Sequence, residues 1–312
     1  MIKGQDNVHF DVISDTGYLN LWKTTWSSIW YVLDSFVDRI HPDKAYLVSG
    51  KYQNDAFGVA IDQLSRKENK TTCHANSLLD VKPSLMKCFK NKNTGEPTNT
   101  TYFVTYNSEH NAFDFFEINP ARTKVCHFFN SPLKSYNIDN ITHMDIFCAF
   151  YDDITKQYPI NHIITYNSES GDVNCFSCDM HNKKIIHHSF DNWGPKYSQF
   201  FVIDDTQDFV CYYNASNGDI LFRKVTPTSP DQPKTPQSPI TENWNRMTPF
   251  STTPLPNMRC NLLAYESHSG ITKFIPVDLS TGNISKETYF SHWNGAWDKF
   301  IPFNAELTFT PS

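Results

Sequence analysis

A loose seven-residue pattern recurs along the whole chain, and it constrains the fold more than any other feature. WDKFIPF at 297–303 and WNRMTPF at 244–250 carry Trp, Pro and Phe at the same offsets. WYVLDSF at 30–36 keeps the Trp, an apolar residue three on and the Phe six on. Weaker copies follow as PSLMKCF (83–89), ITHMDIF (141–147) and YSQFFVI (197–203), so the six starts lie 47 to 58 residues apart. One match to so loose a pattern carries little. Six in order, at near-constant spacing, mark a repeated structural unit.

A second landmark runs in phase with the first. TYNSEHNAFDFF (105–116), TYNSESGDVNCF (165–176), YYNASNGDILF (212–222) and AYESHSGITKF (264–274) each join two apolar runs through a polar tip. Asn111, Gly171, Gly218 and Gly270 fall at equivalent places, where a tight hairpin requires φ > 0. The flanking runs are strand-like, and a composition of 15% aromatics, with 24 Phe and 15 Tyr, suits pleated, half-buried surfaces. Each unit therefore reads as a hairpin, a further strand and the seven-residue strand. Four strands in about 50 residues is the size of a propeller blade.

The expected fold is all-β: a single six-bladed β-propeller domain over residues 1–312, with four-stranded blades. PVDLSTG (276–282) resembles DVISDTG (11–17), so the N-terminal unit starts at its second strand, and AELTFTPS (305–312) is placed to supply the missing one. A ring closed by strands from both termini in one blade leaves no open edge there. The expected blades are 8–42 plus 305–312, 43–98, 99–158, 159–205, 206–256 and 257–304. The stretch 226–240 holds five prolines and cannot be a central strand, so it reads as a projecting loop.

A formal net charge of −6 gives no electrostatic case for nucleic acid or an anionic membrane surface. The absence of a long apolar run predicts no membrane insertion, and the start MIKGQDNVHF has no signal-like core, which predicts a cytoplasmic chain or export by a non-classical route. The eight cysteines fall mostly in apolar runs, as small buried hydrophobes kept reduced would. Cys175 and Cys178, with His181, His187 and His188 downstream, superficially resemble a zinc site. Two cysteines three apart on a strand point to opposite faces, so no metal and no cofactor are expected. His187 and His188, on alternate faces of a strand, read as ordinary strand residues. The acidic pairs Asp152–Asp153 and Asp204–Asp205 read as solvated turns, and no catalytic motif is present.

The tryptophans divide by position. Trp30, Trp244 and Trp297 occupy the repeat's shared place and read as packing between blades. Trp26, Trp193 and Trp293 sit four residues upstream in only three units, among Ser, Asn, Gly and His. They read either as structural staples or as sugar platforms, because a flat apolar indole suits sugar C–H bonds while amide and imidazole groups serve the hydroxyls. The sequons at Asn69, Asn99, Asn140, Asn214 and Asn283 are as many as chance gives in so Asn-, Ser- and Thr-rich a chain.

With units of W-x(3)-W-D-x-F-x-P-F followed by LLAY-x-S-x-x-G-x-x-x-F, the chain resembles bacterial and fungal β-propeller lectin-like repeat proteins. The resemblance implies glycan or glycoprotein binding near blade junctions, with Trp26, Trp193 and Trp293 as platforms and His292 and Asn294 as polar partners. It implies a non-catalytic protein. Two other classes stand beside it: an interaction scaffold presenting a ring face and the proline-rich loop to a protein partner, and a hydrolase with a central-channel site.

Overall fold

The computed structural model describes the chain from residue 6 to 292, apart from 15–16, 27–31, 38–43, 54–55, 66–69, 80–82, 91–99, 152–154, 191, 205–208, 229, 231–239, 241–243, 251–258, 279–280 and 286–287. The described residues form 22 strands in antiparallel sheets, with one turn of 3-10 helix and no α-helix. β1 (Asp6–Ser14) and β2 (Gly17–Trp26) make a two-stranded sheet. The second sheet holds β3 (Val32–Val37), β4 (Lys44–Gln53), β5 (Ala56–Ser65) and β6 (Lys70–Leu79). The third holds β7 (Leu85–Lys90), β8 (Thr101–Asn107), β9 (Ala112–Ile118) and β10 (Val125–Pro132). β11 (His143–Tyr151), β12 (Thr155–Tyr166), β13 (Val173–Asp179) and β14 (Lys184–Ser189) form the fourth. β15 (Gln199–Asp204), β16 (Phe209–Tyr213) and β17 (Ile220–Lys224) form the fifth. In the last sheet, β18 (Arg246–Phe250), β19 (Arg259–Tyr265) and β20 (Ile271–Asp278) lie in order, and the short β21 (Asn283–Ile284) and β22 (Thr288–His292) share the outer edge of β20.

Among the described residues two compact units emerge, one within 6–90 and 100–130 and the other within 131–292. In the first, the core joins Phe36, Tyr46, Val48, Phe57 and Ile61 of one sheet to Met86, Phe103, Phe116 and Ile118 of the next. In the second, Phe147, Ile164 and Cys175 of the fourth sheet pack with Phe200, Val202 and Tyr212 of the fifth. A further cluster centred on Trp244, which is fully buried, joins the fifth sheet to the last. Trp244 is thus the packing residue that its shared position implies. Trp30 and Trp297 lie outside the described residues.

Every sheet after the first begins one strand earlier than the sequence predicts. The seven-residue strand opens a sheet instead of closing the preceding unit: β11 pairs with β12, with Tyr151 facing Thr155 across their turn. The expected boundaries at 43, 99, 159, 206 and 257 consequently fall at or inside the first hairpin of each sheet. The physical reason is local. Three residues separate β11 from β12, whereas nine separate β14 from β15. The strand expected at 305–312 lies outside the described residues.

The hairpin tips follow the repeat closely. Asn167 Oδ1 accepts from the N–H groups of Glu169 (2.9 Å) and Ser170 (3.2 Å), and Gly171 N–H returns to Asn167 O at 2.8 Å. Asn214 with Gly218, and Glu266 with Gly270, repeat the arrangement. The closing residues have φ of 85°, 75° and 74°, and Asn111 takes the same place at 49°. A side-chain oxygen acceptor at the first position and a left-handed residue at the fifth are what this turn requires.

The tyrosine before two of these tips has a second role. Tyr166 Oη accepts from Tyr197 N–H at 3.2 Å and donates to Gly194 O at 2.9 Å. Tyr213 Oη likewise accepts from Trp244 N–H at 3.1 Å. Tyr197 and Trp244 each start a copy of the seven-residue pattern. The two repeated landmarks are therefore bonded to each other, from one sheet to the start of the next.

Candidate functional site

The segment between β10 and β11 is where one unit departs from the repeat. Leu133, fully buried, anchors it, and a turn of 3-10 helix runs through Lys134–Tyr136. Asn137 (φ 56°) and Asn140 (φ 54°) take the left-handed conformation, which asparagine tolerates better than most residues. The segment turns back onto the fourth sheet and borders an open cavity of about 200 Å³. Tyr136, Asp139 and Ile141 line it from the loop, Thr165 and Asn167 from the end of β12, Asp172 and Asn174 from β13 and its approach, and His187 from β14.

The sheet register explains these neighbours. Thr165 faces Asn174 across β12 and β13, and Phe176 faces His187 across β13 and β14. His187 Nε2 lies 2.8 Å from Asn174 Oδ1, so the imidazole donates and Nδ1 is left unprotonated. The His187 ring packs 5.0 Å from Tyr136 and 5.1 Å from Phe176. Burial lowers the His187 pKa, and His188 adds to the shift, which keeps the ring neutral near pH 7. Hydrogen bonds from Ser170 and Asn192 hold the Asp172 carboxyl below the usual range. Asn192 Nδ2 donates to Asp172 Oδ1 at 2.9 Å.

The cavity thus offers a tyrosine ring, an imidazole, three amides, a threonine hydroxyl and two carboxylates, with Val173, Ile138 and Phe190 as buried apolar lining. Among the described residues, no lysine or arginine lines it. Such a set binds hydroxyl groups and disfavours anions.

His188 does different work on the opposite face of β14. Its Nε2 lies 2.9 Å from Ser177 Oγ, which lies 2.9 Å from His162 Nδ1. His162 Nε2 donates to Ala149 O at 3.2 Å. Ser177 and His162 are fully buried, so this chain is a satisfied polar network within the sheet.

The tryptophan set behaves unevenly. Trp193 is only 7% exposed, packed 5.3 Å from Tyr212 and 6.1 Å from Phe200, with the Arg223 guanidinium 4.2 Å from its ring. It is a staple, not an open platform. Its backbone N–H donates to Gly171 O at 2.9 Å, which draws the residue inward. Trp26 ends β2 and His292 ends β22. Trp293 and Asn294 lie outside the described residues.

Cys175 and Cys178 are both buried, and burial pushes both thiols up, Cys178 to about 12. Among the described residues no group of His, Cys, Asp and Glu could hold a metal ion. Cys73 and Cys126 are exposed, while Cys148, Cys175, Cys178, Cys211 and Cys260 are buried. Asp152, Asp153 and Asp205 lie outside the described residues. Among those described, no helix is long and apolar enough to cross a membrane.

Sequence reading missed Tyr136 and Asn174. Two signals were available. Asn174 is the polar member of the alternating run VNCF, and SYNIDN lies in a stretch with no counterpart in the neighbouring units.

No family model matches the chain, and no curated protein does. Among solved structures it is similar to a chain of a nidogen–laminin complex, at 12% identity and TM-score 0.48 over 90% of this chain and 87% of that one. It is also similar to a periplasmic gluconolactonase of Pseudomonas aeruginosa, at 14% identity and TM-score 0.47 over 84% and 70%. Chaetomium thermophilum Sqt1, bound to the N-terminus of a ribosomal protein, matches at 10% identity and TM-score 0.49 over 93% and 70%. Likenesses of this strength assign neither ligand nor activity, and the functional reading rests on the chain's own geometry.

Proposed function

We propose that the chain is a non-catalytic, six-bladed β-propeller that binds a carbohydrate in the cavity beneath Tyr136. The six copies of the seven-residue pattern, each described copy opening an antiparallel sheet, support the blade count. Pairing of 305–312 with the N-terminal strands would close the ring. The observation that carries the ligand assignment is the convergence of a half-buried tyrosine ring with Asn174, His187 and Asp172 around a space of about 200 Å³. That is below the range of drug-sized pockets, roughly 300–1,000 Å³, and it suits a single sugar ring. Trp26, and separately Trp293 with His292 and Asn294, are further candidates for sugar contact. A glycan array probed with the full chain and with Tyr136→Ala tests the reading. Binding lost in the variant supports it, and an array that stays blank with the wild type overturns it.

A second reading, a protein-interaction scaffold, is favoured by the base of the proline-rich loop. Val225 is fully buried and Ile240 is 2% exposed, so both ends of 226–239 are anchored in the core. Such a segment suits recognition by an aromatic-lined groove. Co-purification with and without residues 227–239 tests it. Unchanged partners would dismiss the loop as a docking element.

A further inference from the structure

We propose that His187 is the specificity-determining residue of the Tyr136 cavity, holding the Asn174 amide in one orientation and presenting its own Nδ1 as an acceptor. This rests on the carbohydrate reading above. Two facts of geometry carry it. Nε2 of His187 is 2.8 Å from Asn174 Oδ1, which commits the amide oxygen and leaves its NH2 to donate. Both residues line the same cavity, next to the Tyr136 ring that packs against the imidazole at 5.0 Å.

The consequence is a matched pair of unlike groups, a donor on Asn174 and an acceptor on His187. A vicinal diol satisfies both, with one hydroxyl donating to Nδ1 and its neighbour accepting from Nδ2. A ligand bearing acceptors alone satisfies only one. Protonation of His187 removes the Nδ1 lone pair while keeping the Asn174 bond, so the site loses half of the pair without losing its shape.

The charged and titratable groups around His187 come from three elements. On its own strand are His188, tied through Ser177 to His162, and Lys184. Across the sheet β13 brings Asn174 and Phe176, with Asp172 just before the strand. The loop brings Tyr136 and Asp139 into the cavity, with Lys134 in the same helical turn. Burial and His188 hold the ring neutral at pH 7. Binding therefore weakens as pH falls through the His187 pKa, below the ordinary histidine value.

Calorimetric titration of the full chain with galactose, mannose and glucose, at pH 7.5 and pH 5.0, tests this. The wild type is expected to lose about tenfold in affinity at the lower pH, the worth of one hydrogen bond. His187→Gln keeps an N–H for Asn174 and cannot titrate, so its affinity should stay level across the two values. Wild-type affinity that does not change with pH, or a glutamine variant that keeps the wild-type dependence, overturns the proposal and leaves the carbohydrate reading in place. No binding of any sugar at either pH removes both. Nitrogen-15 NMR of His187 gives a check that needs no ligand. An Nε2–H tautomer at pH 7.5 is expected, and an Nδ1–H tautomer overturns the proposal by itself.

Discussion

Asp145 Oδ2 accepts a hydrogen bond from Val202 N–H at 2.9 Å, tying the first strand of one sheet to the first strand of the next. Its other oxygen accepts from Ile146 N–H at 2.8 Å. Asp34 holds the same place in its copy of the repeat and accepts from Cys88 N–H in the first unit. The N–H groups along the free edge of a first strand have no ladder partner, and a carboxylate from the preceding sheet satisfies one of them. Asp145→Ala leaves Val202 N–H unpaired in the interior and should cost roughly 2–3 kcal/mol, with Asp145→Asn costing less because an acceptor remains. The shift of the urea midpoint at constant slope measures both.

Tyr213→Phe removes the acceptor for Trp244 N–H without opening a cavity. Tyr213 and Trp244 are both fully buried, so the expected loss is about 1–3 kcal/mol. Equal urea midpoints for wild type and variant would show that the hydroxyl contributes nothing.

Gly218 and Gly194 both have positive φ, at 75° and 89°, but they differ in room. A Cβ on Gly218 would run into the carbonyl oxygen of Ile240, whereas one on Gly194 meets only Tyr197 at 4.0 Å. Gly194→Ala should cost about 1–2 kcal/mol, the strain of a left-handed residue. Gly218→Ala should cost several kcal/mol more, because backbone must move. Thermal unfolding of the pair in parallel decides it, and equal losses would contradict the contact.

Burial holds His162 down at about 3, against an ordinary 6.5. Below pH 6.5 the unfolded chain takes up a proton that folded His162 refuses, so stability falls as pH drops from about 6.5 towards 3. Over that window the loss is on the order of 5 kcal/mol. His162→Gln should flatten the acid limb of the stability profile. An unchanged slope between pH 6 and 4 would assign acid sensitivity to other groups.

Trp193→Ala and Tyr136→Ala separate framework from site. Removing the buried indole should cost about 3–5 kcal/mol. Removing half-exposed Tyr136 should cost under about 1 kcal/mol and abolish sugar binding. Circular dichroism melts beside a glycan array give both readouts, and a Trp193 variant that melts with the wild type would make that indole dispensable.

The local frame was legible from the chain alone. Periodicity two, tyrosine before each tip, and glycine or asparagine at its fifth position specify strands and turns through backbone sterics and nearest-neighbour hydrogen bonds. The repeat did not say which strand pairs with which. The seven-residue strand could close one unit or open the next, and only the hydrogen-bonded register from β11 to β12 decided it. The site was harder still. Trp193 sits among Ser, Asn and Gly in sequence, as a solvent-facing platform would, yet contacts from Tyr212, Phe200 and Arg223 on other strands bury it. His187 and His188 are adjacent in sequence and opposite in role, because the pleat turns one to the cavity and the other to Ser177. Alternation fixes that two such faces exist. Which face meets a loop carrying Tyr136, and which meets the core, depends on contacts between residues far apart along the chain, and those only the tertiary structure decides.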